Sequence, residues 1–175
     1  MERLVCLGVE DAGEVLTLQR AAYVTEAQLH ADLDLPPLRQ SLDALAAELA
    51  DPQVRAAGWR DDTGRLVAAV RARVSQASPG MAAVGRLTVV PDRQGQGLGS
   101  RLLAAVEDQL PAGVDELRLF TGERSEGNLR LYTRLGYTEI SREATPSGYA
   151  LVHLRKARRP GSPERDRPEF RRERP

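Results

Sequence analysis

Gly95, Gly97 and Gly99 alternate along a short loop between an apolar run ending at Val90 and a helix-patterned run beginning at Leu98. Glycine allows a tight turn and leaves backbone N–H groups uncovered. Those amides, with the positive end of the following helix dipole, form a seat suited to phosphate. Arg93 adds a cation at the rim. Further along, Asn128 and Tyr132 stand four residues apart, so a helix places an amide and a phenol on one face. Other chemistries are poorly served. No lysine lies near the loop, which disfavours a P-loop. The glycine spacing lacks the third glycine of G-x-G-x-x-G, which disfavours a dinucleotide fold. One cysteine, Cys6, and two histidines, His30 and His153, make a Cys/His zinc cage a poor expectation, so no metal is expected.

These groups need a strand before the loop and a helix after it, and periodicity supplies both. Arg3 to Gly8 reads as a first strand, and Val15, Leu18 and Ala22 share a helical face. The pattern blurs from Leu29 to Leu38, where Pro36-Pro37 reads as a break. Ser41 is placed to cap a helix carrying Leu42, Leu45 and Leu49. Val54–Arg60 and Arg65–Ser75 read as strands joined by the turn Asp61-Asp62-Thr63-Gly64. Ala83–Val90 is a further strand, and Leu98, Leu102, Val106 and Leu110 mark the helix behind the loop. Val114–Thr121 is a strand, Asn128–Leu135 a short helix ended by Gly136, and Tyr137–Arg142 and Tyr149–Arg155 close the chain. The order β-α-α-β-β-β-α-β-α-β-β is that of one mixed α/β (α+β) domain.

Gln94-Gly95-Gln96-Gly97-Leu98-Gly99 fits the pattern Q/R-x-x-G-x-G/A, with the strand Leu87-Thr88-Val89-Val90-Pro91 ahead and the helix Ser100-Arg101-Leu102-Leu103 behind. Downstream comes Asn128-Leu129-Arg130-Leu131-Tyr132-Thr133-Arg134-Leu135-Gly136-Tyr137. Together these motifs, in residues 84–137, resemble the GCN5-related N-acetyltransferase (GNAT) superfamily, and the element order extends the likeness over residues 3–155. The resemblance implies splayed central strands, here Leu87–Val90 and Leu117–Thr121, that admit the pantetheine of acetyl-CoA. It assigns Arg93, Gln94, Gly95, Gln96, Gly97, Leu98, Gly99 and Ser100 to the pyrophosphate. It assigns the backbones of Leu87, Thr88 and Val89 to the pantetheine arm, with the Val89 N–H as donor to the thioester carbonyl. Asn128 would meet the pantetheine, and the Tyr132 hydroxyl would protonate the departing thiolate.

The general base is open. Many family members carry a carboxylate on the strand before the loop, but here it reads Val84-Gly85-Arg86-Leu87-Thr88. Glu123, Glu26, Asp32, Asp34 or a relayed water could serve. A lone histidine such as His30 in a polar stretch is expected to be exposed. Residues 20–40 cover the acceptor site in such folds, and Tyr23, Glu26, His30, Asp32 and Asp34 make an acidic lip suited to a cationic amine. Trp59 either walls the pocket or joins the core. Cys6, on the first strand, gives no support to a covalent acyl-cysteine route. The reading is therefore an N-acetyltransferase that uses acetyl-CoA and acts on a small primary amine by direct attack. Its alternatives are a peptide or protein N-acetyltransferase and a catalytically silent acyl-CoA-binding module.

Composition agrees with an enzyme-sized domain. The chain has 175 residues, 41% apolar and 29% charged, enough to bury a core. Basic and acidic residues balance at 25 each, so nucleic acid is not an expected partner. No apolar run approaches the ~20 residues that span a bilayer, and no leader-like stretch follows Met1. No membrane partner is expected, and the lone cysteine suits a cytoplasmic setting. A homodimer is left open. Residues 156–175 carry 8 basic and 4 acidic residues and four prolines, with Phe170 as the only large apolar group. That segment is expected to be a disordered tail, and the domain to span 1–155.

Overall fold

The computed structural model describes residues 2–158. Seven strands form one mixed sheet in the order β1-β2-β3-β4-β5-β7-β6. The strands are β1 (Arg3–Cys6), β2 (Val54–Arg60), β3 (Leu66–Val74), β4 (Met81–Val89), β5 (Glu116–Gly122), β6 (Thr138–Ala144) and β7 (Ala150–Ala157). The helices are α1 (Ala12–His30), α2 (Pro36–Arg39), α3 (Leu42–Ala50), α4 (Leu98–Gln109) and α5 (Glu126–Arg134). α1 and α4 both pack on β3, and Leu66 through Ala72 are all buried. The central strand is thus covered on both faces, which is why its small and branched residues form a continuous apolar run broken by Arg71 alone.

β4 and β5 decide the shape of the site. They are parallel neighbours, yet they pair only at Met81–Ala83 with Glu116–Arg118 and then part. A bulge bends β4 away. Ala69 faces Thr88 and Arg71 faces Gly85, so Arg86 and Leu87 together stand opposite Val70. Arg86 takes a left-handed φ of 56°, where glycine is the usual occupant. β5 then pairs along its whole length with β7.

Helix ends follow local rules with two departures. The Ser41 hydroxyl accepts from the Ala44 N–H at 3.2 Å and caps α3 as expected. α1 continues past its apolar pattern to His30 and stops at Ala31 in the left-handed region. Its last two turns carry polar residues because several of them border a cleft instead of the core. Pro36 and Pro37 do more than interrupt the chain. They open α2 from its first positions, where the missing N–H costs nothing. At the other end, β7 runs beyond the expected domain boundary at 155 to Ala157. Lys156 donates to Glu107 at 2.7 Å, and the Tyr137 hydroxyl donates to the other Glu107 oxygen at 2.8 Å. Residues 156–158 therefore belong to the folded domain, while the rest of the expected tail lies outside the described residues. Among the described residues no helix is long and apolar enough to cross a membrane.

Candidate active site

Where β4 and β5 part, a cleft of about 790 Å³ opens, bounded by α1, the glycine loop and α5. The β4 backbone faces it. The Val90 N–H donates to the Val67 carbonyl on β3 at 3.0 Å. Strand alternation turns the N–H of neighbouring Val89 the other way, toward the gap. The Val89 carbonyl accepts from Gln94 Nε2 at 3.1 Å, which ties the loop to the strand. Leu87, Thr88 and Val89 all border the cleft. The Thr88 side chain is buried and donates to the Ala69 carbonyl, leaving its backbone as the part that can serve a ligand.

At one end lies the loop. Gly95 and Gly97 each hold φ at 76°, and a Cβ on either would project into open space, so conformation and not crowding calls for glycine there. Gly97 precedes α4, and no side chain caps that helix. The amides of Gly95 through Ser100 have no acceptor among the described residues. Buried Leu98 anchors the first turn, and a Cβ on Gly99 would stand 3.8 Å from the Leu87 and Val89 side chains. A row of unpaired donors at a helix start fits a pyrophosphate. Two expected contacts are modified. Arg93 is paired with Glu2 at 2.6 Å and with Gln96 at 2.9 Å, so its charge is partly neutralised. Gln96, occupied with Arg93, is not among the residues that border the cleft. Arg134, which sequence reasoning passed over, reaches Ser100 Oγ at 3.3 Å from α5 and adds a cation to this end.

The opposite end gathers side chains from distant parts of the chain. Asn128 and Tyr132 share the cleft face of α5, as their spacing predicts. Asn128 Nδ2 donates to Glu26 Oε1 at 3.2 Å and lies 3.4 Å from Thr121 Oγ1. The Ser125 hydroxyl donates to the second Glu26 oxygen. Glu26 is thus held between α1 and α5 with 26% of its side chain exposed. Tyr132 is 8% exposed, with its ring edge against Tyr137 at 5.9 Å. Burial pushes its phenol far above the usual value, and the nearby Tyr23 and Glu26 add to that, so it stays protonated.

Several expected residues stand elsewhere. Glu123 is not brought to the cleft; its carboxylate accepts from the Ala150 N–H at 2.9 Å and lies 3.7 Å from Arg142, fastening β5 to β7. Asp32 accepts from Tyr149 and from the Asp34 N–H, and Asp34 pairs with Arg39 on the exterior, so neither borders the cleft. The acidic lip reduces to Glu26. His30 is buried, not exposed, at 2%. Its Nδ1 donates to the Glu26 carbonyl at 3.0 Å, its ring lies 4.5 Å from Tyr149, and a Cβ on Gly122 would come within 2.1 Å of its Nε2. The four-residue interval from Glu26 to His30 was the available signal, since it puts both on one helix face. Trp59 packs against the core with Arg101 over its ring at 5.0 Å and does not wall the cleft. Cys6 is exposed on β1 and does not border the cleft. Among the described residues no cluster of His, Cys, Asp and Glu is placed to hold a metal.

Solved structures share this fold. The ribosomal-protein-S18-alanine N-acetyltransferase of Escherichia coli superposes with a TM-score of 0.72 at 21% identity, covering 90% of this chain and 94% of its own. The PaiA N-acetyltransferase of Thermoplasma acidophilum, solved in complex with coenzyme A, gives 0.71 at 17% identity over 90% and 99%. A chimera of the spermidine N-acetyltransferase SpeG of Vibrio cholerae and hSSAT gives 0.69 at 16% identity over 89% and 95%. No curated protein matches the sequence. The family model of the acetyltransferase (GNAT) family matches residues 15–137, which take in most of α1, the bulged β4, the glycine loop and the α5 face, and the chain belongs to that family.

Proposed function

We propose that the protein is an acetyl-CoA-dependent N-acetyltransferase acting on the primary amine of a small molecule by direct attack. The observation that carries this reading is that unpaired loop amides, a strand gap and a buried protonated phenol meet in one cleft. The amides of Gly95 through Ser100 and the start of α4 would hold the pyrophosphate, with Arg134 beside them. The gap between β4 and β5 would take the pantetheine. Acetyl-CoA, when bound, supplies an activated acetyl thioester with a thiol leaving group. The Val89 N–H, turned into the gap, is the donor positioned for developing negative charge on a carbonyl oxygen. Tyr132 holds a proton at its hydroxyl and can release it to a leaving thiolate. Glu26, kept in place by Ser125 and Asn128, is the carboxylate that can orient an ammonium and accept its proton, directly or through water.

The test is a screen of small amines and peptides for release of free CoA thiol, with mass spectrometry of the acetylated product. Release with small amines supports the reading. Release with peptides alone replaces it with a peptide acetyltransferase. Tight CoA binding with no release for any acceptor would leave a silent binding module.

A further inference from the structure

The far end of the cleft holds opposite charges on two walls. On the α1 wall Glu26 presents a carboxylate held by Ser125 and Asn128. On the β4 wall Arg86 borders the cleft, half-buried, and forms no ion pair among the described residues. Its neighbour Arg71 is buried and directed to other partners, donating to Gln19 at 2.6 Å and lying 3.3 Å from Glu48, while its Nε and Nη1 make no hydrogen bond. Tyr23, on α1 like Glu26, also borders the cleft: burial raises its phenol, the Arg86 guanidinium offsets part of that, and Glu26 acts in the opposite sense. Arg86 is also the bulge residue, with a left-handed φ of 56°. An L side chain is strained there, and glycine would fit better, so an arginine in this conformation at the cleft calls for a role.

We infer that Arg86 selects the acceptor by binding a carboxylate, so that the substrates are zwitterionic amines of the amino-acid type. This rests on the acetyltransferase reading above and narrows its substrate class. Glu26 faces the ammonium and Arg86 the carboxylate. The bulge is what turns Arg86 into the cleft, because the extra residue breaks strand alternation. A guanidinium matches a carboxylate through two parallel N–H donors, and a desolvated charge-assisted pair is strong enough to rank substrates. A polyamine, which offers no anion, would meet Arg86 as a like charge.

The experiment compares L-amino acids with their carboxamides, their decarboxylated amines and spermidine as acceptors, by CoA thiol release. Amino acids should exceed their neutral and cationic counterparts in kcat/KM by ~10- to 100-fold, the scale of one charge-assisted hydrogen bond. In R86G and R86Q that ratio should collapse toward one, chiefly through KM for the amino acid, and R86K should restore part of it. The melting temperature of R86G should not fall, since glycine relieves the positive φ. Equal losses for amino acid and carboxamide would assign Arg86 a structural role and overturn the inference. Preference of the wild-type enzyme for carboxamides or spermidine would overturn it too, while leaving acetyl transfer intact. Absence of thiol release with every acceptor would remove both readings together.

Discussion

The two ends of the cleft are built by different means. The proposed phosphate end is one contiguous segment, Arg93 to Ser100, defined by backbone amides and by the φ of Gly95 and Gly97. The proposed acceptor end is assembled from α1, β4, β5, α5 and the segment around Tyr149, through side-chain contacts between residues up to 119 positions apart. A backbone site tolerates any side chain that preserves conformation and leaves the amides clear. A side-chain site fails when one packed neighbour moves. The ends should therefore respond differently to substitution, and the predictions separate them.

The largest effect is expected at the loop. Gly97→Glu puts a carboxylate beside the amides and an L side chain at φ 76°, so CoA binding should be lost. Because a Cβ there meets nothing within 4 Å, the domain should remain folded. Calorimetry with CoA and a thermal melt check both halves, and wild-type affinity would remove the loop from the site. Tyr132→Phe comes next, on the cleft face of α5. Losing the proton donor should lower kcat by ~10²–10⁴ while CoA affinity stays within a few-fold. Unchanged kcat with chemistry rate-limiting would reduce Tyr132 to packing.

Gly122→Ala sharpens the contrast from the other end. Its Cβ would collide with the His30 ring, which is pinned by the Glu26 carbonyl and Tyr149. Overpacking of this kind costs about 1–3 kcal/mol. The expected outcome is a lower melting temperature and impaired acceptor turnover, with CoA affinity little changed. A matching loss of CoA affinity would mean that the ends are not separable.

The smallest effect is a dependence on alkaline pH. Burial raises the phenols of Tyr132 and Tyr137, with Glu107 adding to the rise at Tyr137. A raised folded-state value means that their contribution to stability is intact below the ordinary phenol pKa of about 10 and is lost as pH climbs beyond it. The melting temperature should fall above pH ~10, and tyrosinate absorbance from these two should rise with unfolding. A flat melting temperature across that range argues against the two phenols being held neutral by the fold.

What was legible follows the same division. The glycine loop, the Asn128–Tyr132 face and the Ser41 cap declare themselves because their physics is local: positive φ, helical spacing and a hydroxyl within reach of a nearby amide. The strand order of residues 54–122 was readable for a related reason, since alternation and turn residues act over a few positions. The polar end of α1 was not, because its pattern answers to a cleft that exists only after β4 and β5 diverge. Glu123 and Glu26 looked alike as acids in the sequence. Packing separates them, giving one to the Ala150 amide and the other to Ser125 and Asn128.

The sequence by itself therefore determined the element order, the family pattern and the glycine loop that opens a helix, each of which depends on residues a few positions apart. Tertiary structure alone decided which acid reaches the cleft, that His30 is buried against Gly122, and that a bulge brings Arg86 to the cleft. The physical reason is that a bulge of one residue in β4 reverses strand alternation, and its position depends on pairing with β3.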